Sequence, residues 1–277
     1  MVKLRRVFVL ILLMGLLACS PSVQTSSPSA PGDTSKPSLS PTSTPAARYP
    51  LISADSAQPG QHAYAFRQAS GDLVNFFLYL PDDHAPDVEW PMIIHLHGHG
   101  GIGSNLAKLT DSPLIEKLET VDDFPFIVVS PQLPDGLWPS YLDPVNQLLT
   151  HLLETLPVDA ERIYLTGFST GSYGAWQYAL RYPELFAALA PVAGGPSLSL
   201  NQTPENICDL KDLPIWVFHS DADSIVPIDN DALAVSALEN CGGAVRFTRS
   251  SDLDHLDTAR DAYNNADLYE WFLEHSR

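Results

Sequence analysis

From Met92 onward the chain alternates short apolar runs with amphipathic ones. The apolar runs are "MIIHLHG" (92–98), "FIVVS" (126–130), "RIYLTGF" (162–168), "FAALAPVAG" (186–194), "PIWVFHS" (214–220) and "VRFTRS" (245–250). Most of them lack polar alternation, which predicts strands buried on both faces. Helical spacing falls between them, at 111–119, 143–156, from Gly171 to near Pro183, at 229–240 and at 264–275. Asp143 and Pro144 suit the cap and first position of the second of these. This alternation restricts the chain to a mainly parallel sheet with helices on both faces. Upstream, 62–69 and 73–81 flank Ser70-Gly71-Asp72 and read as an antiparallel hairpin. Ligand sites in such sheets gather at the carboxyl ends of the strands, so the residues just after each strand carry the functional reading.

The strongest of these is Gly167-Phe168-Ser169-Thr170-Gly171, a G-x-S-x-G sequence between an apolar strand and a helix. That context lifts a serine on a sharp turn above the sheet. A serine hydroxyl needs a base to take its proton, and the base needs an acid to orient it. The chain order in this arrangement is Ser, then Asp or Glu, then His. Three histidines follow Ser169. His219 lies at a strand end, His275 on the terminal helix, and His255 in a loop after the last strand. His255 is the expected base. Among Asp221, Asp223 and Asp229, Asp223 is the expected acid, Asp221 is the alternative, and Asp229 suits the cap of the next helix.

"HLHGHGG" (95–101) raises a competing possibility, since His95, His97 and His99 recur at every second position. A metal site would require the strand to continue and a further ligand nearby. Gly98, Gly100 and Gly101 end the strand near His97, and "GIGSN" supplies no ligand. No metal and no cofactor is expected. The loop instead suits backbone donors to an oxyanion. The expected donors are the amides of His99 and Thr170, with Gly100 the alternative to His99. His97 would brace the loop and His95 would sit in the core.

These segments together resemble the serine esterases of the α/β-hydrolase superfamily, in the branch of polyhydroxybutyrate-depolymerase-like, feruloyl-esterase-like and "predicted peptidase" proteins. The resemblance rests on His97–Gly101, Pro131-Gln132, Gly167–Gly171, the stretch from His219 to Pro227, and His255. It extends over 60–277, including the tail "AYNNADLYEWFLEHSR". Ser220 stands where that branch has glycine, and an aromatic often found after the late histidine is missing from "HLDTA". The resemblance implies an α/β-hydrolase fold and ester cleavage through an acyl-enzyme on Ser169. Serine peptidase or amidase activity on the same triad is the alternative, and a non-catalytic surface binding lipoprotein a third. Only about 18 residues separate the strands near Gly195 and Pro214, where a cap often sits in this fold, so no large cap domain is expected. An open site suits small esters or esters linked to polymers. Trp138 and Tyr141, in a loop after a strand, are candidates to stack on a substrate ring.

The first 19 residues carry Lys3, Arg5 and Arg6, then an apolar run from Val7 to Leu17, then Ala18-Cys19. The run is too short to span a bilayer and reads as a signal peptide. Its end resembles a bacterial lipobox, with Cys19 the lipidated residue. Residues 20–48 hold 13 Ser/Thr and 6 Pro among 29 residues and read as a disordered linker reaching about 30 Å. The domain expected at 50–277 would then face the periplasm or exterior of a bacterial cell envelope, touching membrane only through its anchor. After Cys19 there are 12 basic and 33 acidic residues, which excludes nucleic acid as a natural partner. Cys208 and Cys241 are the only cysteines beyond Cys19. An oxidising compartment favours a bridge over two buried thiols. The sequence leaves oligomeric state open.

Overall fold

Among the described residues, eight strands make one sheet: β1 (Gly60–Arg67), β2 (Leu73–Leu80), β3 (Trp90–Leu96), β4 (Ile127–Pro131), β5 (Val158–Phe168), β6 (Ala188–Val192), β7 (Ile215–Ser220) and β8 (Val245–Ser250). The computed structural model describes residues 46–277 except 86, 122, 123 and 200; Cys19 and all but the last residues of the linker lie outside that range. The strand order is β1-β2-β4-β3-β5-β6-β7-β8. β1 and β2 are antiparallel, β2 joins β4 antiparallel, and all later pairings are parallel.

Side-chain alternation divides the core in two. Met92, Ile94 and Leu96 of β3, Ile163 and Leu165 of β5, and Ile215 and Val217 of β7 pack on one face. That face is covered by α2 (Leu142–Thr155), α3 (Thr170–Arg181) and α4 (Asp229–Asn240). Ile93, Tyr164, Trp216 and Phe218 point the other way, beneath α1 (Pro113–Leu118), α5 (His255–Asn264) and α6 (Ala266–Leu273). A period-two strand can only present consecutive residues to opposite faces, so a strand apolar throughout demands both layers.

Two helix starts that bear on the site differ from expectation. The 3-10 turn Trp138–Ser140 runs into α2, which begins at Leu142 with Tyr141 as its cap residue. Asp143 therefore lies inside the first turn, where it accepts hydrogen bonds from Arg181 and Tyr182. Helix α5 begins at His255 itself, in a segment expected to be a loop, and Asp254 caps it by accepting the Asp257 N–H at 2.8 Å.

The segment from Gly195 to Leu213, where a cap would be inserted, carries one 3-10 turn, Ile207–Leu210. Asn230 holds it down. Its Nδ2 donates to the carbonyls of Ser197 and Ser199, and its Oδ1 accepts the Asn201 N–H. Cys208, on that turn, is disulfide-bonded to Cys241 at the end of α4, with Cα atoms 5.7 Å apart across 33 residues. A loop of that length implies stabilisation of about 3–4 kcal/mol through the unfolded chain. Among the described residues, no helix is long and apolar enough to cross a membrane.

Candidate active site

Ser169 sits between β5 and α3 with φ 58° and ψ −119°, a backbone conformation that side chains rarely adopt. Strain of this kind costs about 1–3 kcal/mol and persists only where surrounding packing enforces it. The enforcement comes from the flanking glycines. A Cβ on Gly167 would stand 2.3 Å from the Gly171 carbonyl oxygen, and one on Gly171 would stand 1.9 Å from the Leu96 carbonyl oxygen. Strand, turn and helix therefore approach at backbone contact, which only glycine permits.

Three chain segments converge on this turn. His255 Nε2 lies 2.9 Å from Ser169 Oγ, and His255 Nδ1 lies 2.6 Å from Asp223 Oδ2. The serine, acid and histidine follow β5, β7 and β8 respectively, all at carboxyl ends. Asp223 Oδ1 accepts the N–H groups of Ile225 and Val226, each at 2.9 Å. Burial alone would raise the Asp223 carboxyl. The hydrogen bonds from Val226, His255 and Ile225 outweigh it and hold the group below the ordinary carboxylate value. Asp223 thus stays ionised and can orient an imidazole. The alternative acid, Asp221, is turned outward to Arg249, with Nε–Oδ1 at 2.7 Å. Asp229 is the first residue of α4, one position inside the helix rather than its cap, and His275 lies near the end of the chain beyond α6.

The glycine-rich loop faces the serine. His99–Gly101 form a 3-10 turn, and His99 lines the same cleft as Ser169 and His255. The amides of His99 and Thr170 both begin helical turns, where backbone N–H groups have no partner within the helix. Side chains fix this loop from behind. His97 Nδ1 donates to the Gly98 carbonyl at 2.6 Å, and its Nε2 accepts the Leu133 N–H at 3.0 Å. Gln132 donates to the carbonyls of Gly101 and Asn105. His95 is fully buried, with Nδ1 3.1 Å from Ser130 Oγ. The three histidines of the ladder therefore do not converge: one is core, one braces and one lines the cleft.

Trp138 corrects an expectation. It does not stack at the rim but is 1% exposed, with Nε1 donating to the His97 carbonyl at 3.0 Å. A large indole beside a buried carbonyl gains both apolar burial and a hydrogen bond by turning inward. Tyr141 is half-buried against the core and lines neither cleft beside Ser169. Burial, with the charges of Asp72 and Asp135, pushes its phenol up to about 12.

Two clefts open on Ser169. One, of about 340 Å³, runs past His99, Lys108 and Leu256; the other, of about 350 Å³, runs past Tyr173, Leu198 and Pro227. Ile225, 69% exposed, borders both. A larger cleft of about 520 Å³ lies between Lys211, Arg246 and Trp271, but none of Ser169, Asp223 and His255 lines it.

Residues 139–262 match the phospholipase/carboxylesterase family model. A thermostable esterase of known structure superposes with TM-score 0.66 and 29% identity, over 78% of this chain and 63% of that one. The chain has the α/β-hydrolase fold. A ferulic acid esterase shares this fold at TM-score 0.60 and 15% identity, over 78% of this chain and all of that one. Poly(3-hydroxyalkanoate) depolymerase C of Paucimonas lemoignei is 36% identical over 52 residues, 19% of this chain and 13% of that protein. The chain spans under half the length of the curated relatives it matches.

The buried histidines of this fold make its stability depend on acid. Burial, helped by neighbouring His97, pulls His95 down to about 3. Burial pulls His97 down to about 4 against the opposing hydrogen bond to Gly98. Unfolded histidine titrates near 6.5, so below that pH the unfolded chain binds protons that the folded one refuses. This contribution is intact above about 6.5 and is lost as pH falls toward the folded values, at about 1.4 kcal/mol per pH unit per histidine. Denaturant unfolding at pH 5 should therefore show stability lower by up to about 4 kcal/mol than at pH 7. Equal stability at the two values would contradict neutral, buried His95 and His97.

Proposed function

We propose that the protein is a secreted, lipid-anchored serine hydrolase that cleaves carboxylic esters through an acyl-enzyme. The observation that carries this reading is His255, which bridges Ser169 and Asp223 at 2.9 and 2.6 Å beside two open clefts. His255 takes the Ser169 proton as Oγ attacks the ester carbonyl, and Asp223 steadies the imidazolium that forms. The amides of His99 and Thr170 receive the oxyanion. The imidazolium then protonates the departing alkoxide. A water deprotonated by His255 attacks the acyl carbon, and the acid leaves as Ser169 regains its proton. Clefts on both sides of the nucleophile leave room for an acyl part and an alcohol part, which suits small esters and ester branches on polymers. The basic start, short apolar run and Cys19 support the anchor.

A fluorophosphonate probe together with matched panels of aryl acetates, butyrates, ferulates and short peptides tests the reading. Stoichiometric labelling at Ser169 with turnover of esters is expected. Turnover of the peptides without the esters would replace esterase by peptidase, and no labelling would remove the hydrolase reading.

A further inference from the structure

A second histidine–aspartate pair stands behind the first. His219, at the end of β7, is buried with no exposed side-chain surface, as is its partner Asp231 on α4. His219 Nδ1 lies 2.6 Å from Asp231 Oδ2. His219 Nε2 lies 3.0 Å from the Val226 carbonyl and 3.2 Å from Asp223 Oδ2, the oxygen that also receives His255. The ester-hydrolysis mechanism above does not use this pair.

The partners dictate the protonation. A carbonyl and an ionised carboxylate only accept hydrogen bonds, so Nε2 must carry a proton. Nδ1 faces another carboxylate, so a second proton lies between Nδ1 and Asp231. Removing it would leave a buried negative charge, and Asp231 Oδ1 has no hydrogen-bond partner among the described residues to offset the cost. Burial alone would lower His219, but pairing with Asp231, the Val226 carbonyl and Asp223 outweighs burial and raises it. The remaining charges nearby are already engaged. Arg249, paired with His219 across β8, turns to Asp221, and His255 sits on the far side of Asp223.

We propose that His219, held by Asp231, is a positioning residue that shares Asp223 Oδ2 with His255 and so sets the pH at which His255 becomes a competent base. The proposal rests on the hydrolase reading. The positive end of the His219–Asp231 pair stabilises the Asp223 carboxylate and makes it a weaker acceptor toward His255. It also opposes charge on the His255 ring. Without it, positive charge on the His255 ring would be opposed less and the Asp223 carboxylate would accept from His255 more strongly. The Val226 carbonyl contact ties the same imidazole to the turn whose amides fix Asp223 Oδ1, so the pair also sets the carboxylate's orientation.

Asp231→Asn tests this, because an amide can still donate to Nδ1 and keep Nε2–H while removing the charge. Its kcat for an aryl ester is expected to fall on the order of tenfold with KM unchanged. The acid limb of its pH–rate profile is expected to move up by about one pH unit. A purely structural role would leave that limb in place, and an unmoved limb in folded Asp231→Asn overturns the proposal. Proton NMR of the whole protein gives a readout that does not depend on that variant folding. Two far-downfield imidazole N–H resonances are expected in the wild type, with one surviving in His255→Ala. Absence of the surviving resonance also overturns the proposal. A wild-type protein that turns over no ester and takes no probe fails the hydrolase reading itself, whereas the outcomes above fail only the His219 assignment.

Discussion

Ser169→Ala is expected to lose about four to six orders of magnitude in kcat while melting at the wild-type temperature. The two halves of this expectation have separate origins. Ser169 Oγ makes one side-chain hydrogen bond, to His255, so its removal takes little from the fold. The strained backbone at φ 58° remains strained with alanine, so no relief is expected either. On the proposed mechanism, by contrast, Ser169 Oγ is the nucleophile: without it the covalent route closes, and what remains is positioning and oxyanion stabilisation of direct water attack. A double variant, Ser169→Ala with His255→Ala, should be scarcely slower than either single variant, because the two groups act as one unit. Ester turnover, fluorophosphonate labelling and a thermal melt on the three variants together check this. Wild-type turnover in Ser169→Ala would place the nucleophile elsewhere.

The parts of this molecule legible in the sequence are those that local patterning determines. β8 and α4 fall where apolar periodicity placed them, at Val245–Ser250 and Asp229–Asn240. The convergence of Ser169, Asp223 and His255 was legible because topology alone brings the ends of β5, β7 and β8 to one edge. What patterning does not encode is the direction a side chain takes from a loop. Trp138 follows a strand as a rim residue should, yet its indole turns under the glycine loop to reach the His97 carbonyl. The start of α5 was missed because its sequence is polar and its buried apolar positions, Ala259, Ala262 and Tyr263, are few. Asp254 followed three residues later by Asp257 was the available signal, a cap whose acceptor meets that amide. The His219–Asp231 pair joins a strand to a helix 12 residues on. Nothing in the spacing says that α4 lies over β7 with that aspartate facing inward, and only the packed structure brings the two together.

Gly171→Ala is the second large expectation, and it separates two roles that glycine plays here. An alanine Cβ would lie 1.9 Å from the Leu96 carbonyl oxygen, 2.5 Å from the Leu96 carbonyl carbon and 2.6 Å from the His97 carbonyl oxygen. All three are backbone atoms at the end of a central strand, so no side chain can rotate away. The start of α3 would have to lift off β3, opening the core beneath Trp176 and displacing Ser169 from the His99 loop. A loss of about 3–5 kcal/mol in unfolding free energy is expected, with kcat reduced in whatever folds. Gly100→Ala is the matched control. Its Cβ meets nothing within 4 Å, so stability should stay within about 0.5 kcal/mol of wild type. Chemical denaturation of both variants decides the matter. If Gly171→Ala unfolds like Gly100→Ala, the strand and the elbow are not in backbone contact, and the strained serine must be held by something else. If the two diverge as expected, the glycines of "HGHGG" and of the serine turn are unequal. Gly171 is required by the approach of two backbones, whereas Gly100 leaves open space in a cleft that Ser169 also lines.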